Sequence, residues 1–505
     1  MKIIRESNQN VINALGINNM DTTKKHRLLK YLIIEDIDDG KLIHNELTGG
    51  FVWMPNIQFD NIYVEDRSID YINWLWGNYF LVNEDFDEES EQERLKKHFR
   101  PNPEDDGYLK SGNLFDYTIF TTMGCNARCE YCYEKGRPQL PMKSETAKRV
   151  GEYIIRTAVK NGKTIQLRWF GGEPLVNENV VDIICKMVQD AGFNYNSSFT
   201  SNGFLFKKEK LEKYKNLWHL TSVQITLDGT EEKYNKIKNF KNVKGKNPYQ
   251  IVNDNIKMLL DNNIHVAIRM NMDLNNAENI KLLVEELHER YGNYKHVSPY
   301  CYPIFEYDNL RTPEENEKLF TYLKEVDEQL LKYFFGRSGH PYGVRSTHCM
   351  IDNGHSVVIG TQGDIGLCEH YSDDNFWGHI DKPEMKDLDM IKSFQEYEGI
   401  EDICKTCPIL PTCLRPKKCE DIQRCNIWKR EWHVREAHTE IRNIYRIYKS
   451  DLQQHPEKPI LCWNHSYSYP VLTNNCETTD ETPVEPEKKG LSKLWENILI
   501  LIGLK

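Results

Sequence analysis

Between residues 114 and 335 the chain alternates short apolar runs with longer stretches whose apolar positions recur every three to four residues. The short runs, at 117–122, 165–170, 198–201, 223–227, 266–271 and 296–304, predict strands. The longer stretches 144–160, 177–191, 249–262 and 277–291 predict amphipathic helices. Strands that alternate with helices imply an α/β fold with a parallel sheet and right-handed crossovers, doubly wound or barrel-like. Six such units predict a partial (β/α)6 barrel, in which chemistry belongs at the C-terminal ends of the strands.

The flanks follow other patterns. Runs at 31–37, 41–45 and 50–54 are β-type and are separated by the turn signals Asp38-Asp39-Gly40 and Thr48-Gly49-Gly50. Residues 69–80 are aromatic-rich and predict helix in part. Residues 84–93 carry seven carboxylates, a pattern that predicts the solvated start of a helix, and 101–107 reads as a linker. From 345 the strand–helix rhythm is lost until a charged helix at 427–449. Residues 473–490 are polar and contain proline, which predicts a flexible tail. Residues 491–505, with Trp495, predict a short amphipathic helix whose polar face lacks the basic set of a membrane-surface helix. The division that follows is a small α+β unit at 1–110, the barrel at 111–335, a cysteine-rich unit at 336–450 and a tail at 451–505.

Composition narrows the class. With 505 residues, 39% hydrophobic and 28% charged, the chain has the material for about three cores. No apolar stretch reaches bilayer length and the opening MKIIRESNQN lacks a signal-peptide core, so a cytoplasmic protein without stable membrane insertion is expected. A net charge of −11 argues against a nucleic-acid partner, which needs a basic face. Fourteen cysteines in such a chain point to metal or redox work, and they cluster: three fall at 125, 129 and 132, and seven more between 349 and 425.

The first cluster, Cys125-Asn-Ala-Arg-Cys129-Glu-Tyr-Cys132, directly follows the run 117–122. Three thiolates within eight residues can wrap one iron–sulfur cube and leave an iron open, whereas zinc would want a fourth ligand nearby, and His98 is too far. The spacing C-x3-C-x2-C, with Tyr131 before the last cysteine, resembles the signature of the radical S-adenosylmethionine (SAM) enzymes. Trp169-Phe-Gly-Gly-Glu-Pro174 after the second strand resembles that family's GGEP motif. Thr200-Ser-Asn-Gly203, Gln224-Ile-Thr-Leu-Asp-Gly229 and Arg269-Met-Asn271 look like its further SAM-contacting positions, in the right order. The resemblance implies that Cys125, Cys129 and Cys132 hold a 4Fe–4S cluster whose fourth iron binds SAM. It implies SAM contacts from Gly171, Gly172, Glu173, Pro174, Ser201, Asn202, Thr226, Asp228 and Arg269. Reductive cleavage of SAM to a 5′-deoxyadenosyl radical would then begin hydrogen abstraction from substrate.

The second field, Cys349, Gly363-Asp-Ile-Gly-Leu-Cys368, Cys404-Lys-Thr-Cys407, Cys413, Cys419 and Cys425, resembles the SPASM extension of radical enzymes that act on peptides and proteins. It departs from that pattern after Cys413, where five residues stand in place of three before Cys419. By position, Cys404, Cys407, Cys413 and Cys425 would hold one auxiliary 4Fe–4S cluster. Cys349, Cys368 and Cys419 would hold another, with its last iron open to substrate or ligated by His348, His355 or Cys301. Zinc is the other reading of C-x2-C-x5-C. Cys185 reads as core, Cys301 as core or barrel lining, and Cys462 and Cys476 as free thiols.

The resemblance implies a peptide substrate and leaves two subclasses. One installs crosslinks, thioethers among them, in ribosomally made precursor peptides; the other is the anaerobic sulfatase-maturating, formylglycine-generating class. About 110 residues precede the triad, and 40–49 resembles the opening hairpin of crosslinking maturases, whose N-terminal domain captures a leader peptide as an added strand. A flavodoxin or ferredoxin reductant is implied. A non-catalytic iron–sulfur carrier would leave the strand-end motifs unexplained, and an RNA-modifying radical enzyme would want a basic domain. Asp228, Glu173 and Tyr302 are candidates for a general base.

Overall fold

The computed structural model describes residues 1–473 except 20, 22, 64–68, 133, 161, 242, 305–310, 334–342, 348, 372–375, 398–399, 414–416, 420–424, 455–459 and 463–470. The tail readings at 474–505, with Cys476, lie outside the described residues, as do His348 and the side chain of Cys462.

Six parallel strands form the centre: β7 (Asp116–Thr122), β8 (Ile165–Gly171), β9 (Tyr195–Ser201), β10 (Leu220–Thr226), β11 (His265–Met272) and β12 (Val297–Pro303). They pair in sequence order, each to the next, and the crossovers include the helices Ser144–Thr157, Glu178–Asp190, Pro248–Asp261 and Ala277–Tyr291. The sheet is a partial barrel, as the alternation predicts. Burial alternates along most of its strands, while β7 is buried from Tyr117 to Thr122. In β9, Tyr195, Ser197, Phe199 and Ser201 are buried while Asn196, Ser198 and Thr200 are half-buried. One face therefore packs under the helices and the other forms a polar lining, spanned by the Tyr300 hydroxyl donating to Gln224 Oε1 at 2.6 Å.

The cysteine-rich part does not stand apart from this sheet. Its β13 (Ser356–Ile359) pairs in parallel with β7, and β14 (Asp364–Gly366) and β15 (Gly378–His379) extend the edge antiparallel, giving nine strands among the described residues. A helix over Pro313–Lys332 packs against Ala277–Tyr291 and against the long helix Ile427–Gln454. It begins in a capping box, with Thr312 and Glu315 each satisfying the other's backbone amide.

The N-terminal unit is built on a four-stranded antiparallel sheet in the order β1 (Lys2–Arg5), β5 (Phe51–Met54), β4 (Gly40–Asn45), β3 (Leu32–Ile37). A short pair, β2 (His26–Leu28) with β6 (Leu81–Asn83), lies beside it. One face buries Ile4, Ile33, Leu42 and Phe51 against Ala437, Ile441, Ile444 and Tyr448 of the long helix. The other packs on the helices Asp70–Gly77 and Glu88–Phe99 in a cluster that also takes in Cys404 and Leu410. The acidic run does start a helix, capped by Asp87, but it is not wholly solvated. Glu88 is buried and paired with Arg27, because its turn faces the sheet.

No helix among the described residues is long and apolar enough to cross a membrane. The interface between the N-terminal sheet and the long helix gives a direct test. Ile441→Ala is expected to lower stability by about 2–5 kcal/mol in urea unfolding. Leu282→Ala, on an exposed helix face, is expected to stay within about 0.5 kcal/mol.

Candidate functional site

The site begins where two backbones touch. The loop after β7 carries Cys125, and the turn after β8 lies on it: Gly172 N–H donates to Thr122 O at 3.0 Å and Glu173 N–H to Gly124 O at 3.0 Å. Only glycine permits this. Gly171 has φ +128°, and a Cβ there would meet Thr122 O at 2.1 Å; one on Gly172 would meet Met123 O at 2.6 Å. Pro174 opens a short 3-10 turn, and its carbonyl accepts from Thr121 Oγ1 at 2.9 Å.

Glu173 ties this turn to the end of β9. Its carboxylate accepts from Leu175 N–H at 3.2 Å, from Ser201 Oγ at 2.9 and 3.1 Å, and from Asn202 N–H at 2.8 Å. The group is 0% exposed, and burial pushes its pKa up to about 7 against the pull of these donors. Asn202 Nδ2 in turn reaches Asn126 Oδ1 at 2.6 Å and lies 3.8 Å from Cys125 Sγ. Glu173 and Ser201 thus serve each other inside the protein, and Asn202 borders the cysteine loop.

A second buried group braces the loop from behind. The Tyr131 hydroxyl donates to Asp228 Oδ2, and Lys238 Nζ donates to the same carboxylate at 2.8 Å and to the Tyr131 oxygen at 3.0 Å. Asn271 donates to Asp228 Oδ1 through its backbone N–H at 3.0 Å and its side chain at 3.2 Å. Burial opposes the charge on Lys238, yet the Asp228 carboxylate and Tyr131 outweigh it and hold the ammonium well above its ordinary pKa. Arg128 N–H donates to Lys238 O at 2.9 Å and Lys241 N–H to Asn126 O at 2.8 Å, so the segment after helix Glu231–Lys238 grips the cysteine loop. Sequence reasoning missed Lys238, because Lys233, Lys236 and Lys238 look alike on a charged helix.

The three thiols share this cradle. Burial, chiefly, lifts Cys125 to about 11, and Glu173, Cys129 and Cys132 lie close enough to add to the effect. Asn126 Nδ2 is buried beside them without an acceptor among the described residues. Soft donors on one loop, a glycine cradle and an orphaned donor fit an iron–sulfur cluster with a bound polar ligand. Thr226 and Arg269 are register neighbours at the strand ends of β10 and β11. Arg269 Nε donates to Asn271 Oδ1 at 2.8 Å and its guanidinium lies 5.3 Å from the Tyr302 ring.

The second field contains two sets of neighbouring thiols. Cys368 has Cys349 and Cys419 as electrostatic neighbours, and Cys407 has Cys413 and Cys425. Cys404 and Cys413 both lie near Lys96. Among the described residues no three His, Cys, Asp or Glu side chains converge on a single-ion position. One of the further candidate ligands, Cys301, is corrected. Cys301 is buried in the core on β12, at the sheet edge farthest from β13, and alternates with the half-buried Tyr300 and Tyr302, so it does not line the barrel. His355 stacks on Phe115 with ring centroids 4.0 Å apart. Of the three base candidates, Glu173 and Asp228 are buried and engaged, while Tyr302 is half-buried with its ring 5.5 Å from Trp432.

Comparison with known proteins agrees with this arrangement. Residues 119–288 match the Radical SAM superfamily model. GTP 3′,8-cyclase of Clostridium acetobutylicum is 31% identical over 136 residues, 26% of this chain and 42% of that protein. The sporulation killing factor maturation protein SkfB of Bacillus subtilis is 24% identical over 181 residues, 35% of this chain and 41% of that one. The chain thus spans less than half the length of these curated relatives. The solved structure of anSMEcpe with bound AdoMet superposes with a TM-score of 0.51 at 15% identity, over 66% of this chain and 98% of that one. The same protein with AdoMet and a Cp18Cys peptide gives 0.50 at 16%. That likeness shows the fold.

Gly171→Ala is expected to abolish SAM binding measured by equilibrium dialysis on reconstituted protein, because the added methyl drives the turn off the cysteine loop. Glu173 carries a pH signature. Its folded pKa lies above the ordinary 4.5, so its contribution to stability is fully present below about 4.5 and is lost as pH rises through about 7. The difference in urea midpoint between wild type and Glu173→Gln is expected to fall across that window. A pH-independent difference would contradict the assignment.

Proposed function

Because residues 119–288 match the Radical SAM superfamily model, we propose that this chain is a radical SAM peptide maturase that installs a crosslink, a thioether foremost, in a ribosomally made precursor peptide. The single observation that carries the reading is the cysteine loop at the C-terminal end of β7, held by the glycine turn at 171–172 against the mouth of a polar-lined partial barrel.

Cys125, Cys129 and Cys132 would hold the 4Fe–4S cluster, and SAM would lie between Asn202, Thr226, Arg269 and the backbone of Gly171 and Gly172. When bound, cluster and SAM supply reductive cleavage and hydrogen abstraction. The protein's own work is positional. Glu173 fixes the turn, Asp228 and Lys238 fix Tyr131 beside the last cysteine, and the half-buried polar lining of β9 and β10 orients what enters. Glu173 and Asp228 are braces in this reading and not bases.

Cys404, Cys407, Cys413 and Cys425 would hold one auxiliary 4Fe–4S cluster and Cys349, Cys368 and Cys419 a second. The N-terminal unit would take the leader of the precursor on a sheet edge, and a flavodoxin or ferredoxin would deliver the electron. The peptide substrate is supported by the maturation role in SkfB's name and by the peptide bound to anSMEcpe.

Cys125→Ala is expected to abolish 5′-deoxyadenosine formation from SAM with dithionite while leaving iron on the C-terminal cysteines. Product from the variant would refute the triad's role. Iron and sulfide analysis of anaerobically reconstituted wild type is expected to give about twelve irons per chain. About eight would remove one auxiliary cluster, and zinc on the C-terminal cysteines would overturn that half of the proposal.

A further inference from the structure

The N-terminal unit reaches into the wall of the C-terminal cysteine loop at two points. Through the first runs a chain of buried polar groups. Arg5 Nε donates to Gly49 O at 2.8 Å and Arg5 Nη2 meets His44 Nε2; His44 Nδ1 lies 2.8 Å from Glu46 Oε1; and Thr412 Oγ1 donates to Glu46 Oε2 at 3.1 Å. The second is Lys96, on helix Glu88–Phe99. Its Nζ donates to Leu410 O at 2.6 Å and to Cys413 O at 2.7 Å. Lys96 is 8% exposed.

A buried ammonium is costly unless an anion compensates it. The hydrogen-bond partners of Lys96 are two neutral carbonyls, and no carboxylate forms an ion pair with it among the described residues. Cys413, the exposed Glu93 and Cys404 are the acidic groups whose charge would favour the ammonium, and Arg100 opposes it. Four thiolates on a 4Fe–4S core carry net negative charge, so a cluster there would supply what the lysine lacks.

We infer that Lys96 is the counter-cation and positioning residue of an anionic iron–sulfur centre held by Cys404, Cys407, Cys413 and Cys425. The inference rests on the iron–sulfur reading of those cysteines. It makes the N-terminal unit a structural wall of the centre as well as a recognition surface. The carbonyl contacts fix the loop from Leu410 to Cys413, and the fixed positive charge favours the more negative, reduced form of the centre. Removing the charge therefore makes reduction harder.

The test compares full-length wild type, Lys96→Met and Lys96→Arg, all reconstituted anaerobically with iron and sulfide. The midpoint potential of each centre is followed by electron paramagnetic resonance. The methionine variant is expected to shift one auxiliary centre to a more negative potential while the SAM-responsive centre stays put. The arginine variant, which keeps the charge, is expected to restore it towards wild type. Equal potentials in wild type and Lys96→Met would overturn the inference. Should Lys96→Met fail to fold, hydrogen exchange on wild type replaces it: loading iron must slow amide exchange in 88–99, and unchanged exchange there overturns the inference. An iron content in Cys404→Ala/Cys407→Ala equal to wild type would instead sink the cluster reading on which it rests.

Discussion

The contact on which the site depends is the backbone approach of Gly171 and Gly172 to Thr122, Met123 and Gly124. It joins the ends of the first two barrel strands and leaves no room for a Cβ at either glycine. From that contact the rest is ordered outward. Glu173, fixed by the turn, takes three donors from its own segment and from the end of β9, so the third strand end is registered to the first two. The cysteine loop is then gripped from the far side by Lys238 and Asp228 through Tyr131. Flexible loops carry the chemistry-bearing side chains, and a rigid sheet with buried polar clamps holds the loops.

Two of these clamps place ionisable groups where water cannot reach them. Asp228 and Lys238 compensate each other directly. Glu173 forms no ion pair among the described residues; its hydrogen bonds and the more distant Lys238 do not outweigh burial, and its pKa rises. The difference separates an ion-paired brace behind the loop from a titratable one beside it. Arg5, His44 and Glu46 repeat the device in the N-terminal unit, where the chain of polar groups ends on the cysteine loop at Thr412. The N-terminal and C-terminal parts accordingly share two apolar clusters and this polar chain.

Much of the barrel was legible in the sequence because its helices have one apolar stripe and its strands are short, and because the cysteine spacing is local. The helix Pro313–Lys332 was legible too, in Thr312-Pro313-Glu314-Glu315, but went unread beside stronger strand–helix signals. What could not be read depends on distant partners. Lys238 and Lys96 lie on charged helices whose other lysines are solvated, and their burial is decided by loops about 110 and 310 residues away. Glu88 looked like one carboxylate among seven until Arg27 gave it a partner. Cys301 sits in a strand whose two faces are both apolar enough to be core, so parity alone did not say which faced the barrel.

In the proposed function the thiols at 125, 129 and 132 hold a cluster to which SAM binds directly. The most direct measurement is the electron paramagnetic resonance spectrum of the dithionite-reduced full-length protein before and after SAM is added. SAM is expected to change the signal of one centre, Cys125→Ala to lack that centre, and the other signals to stay as they were. A spectrum that SAM leaves unchanged would contradict it.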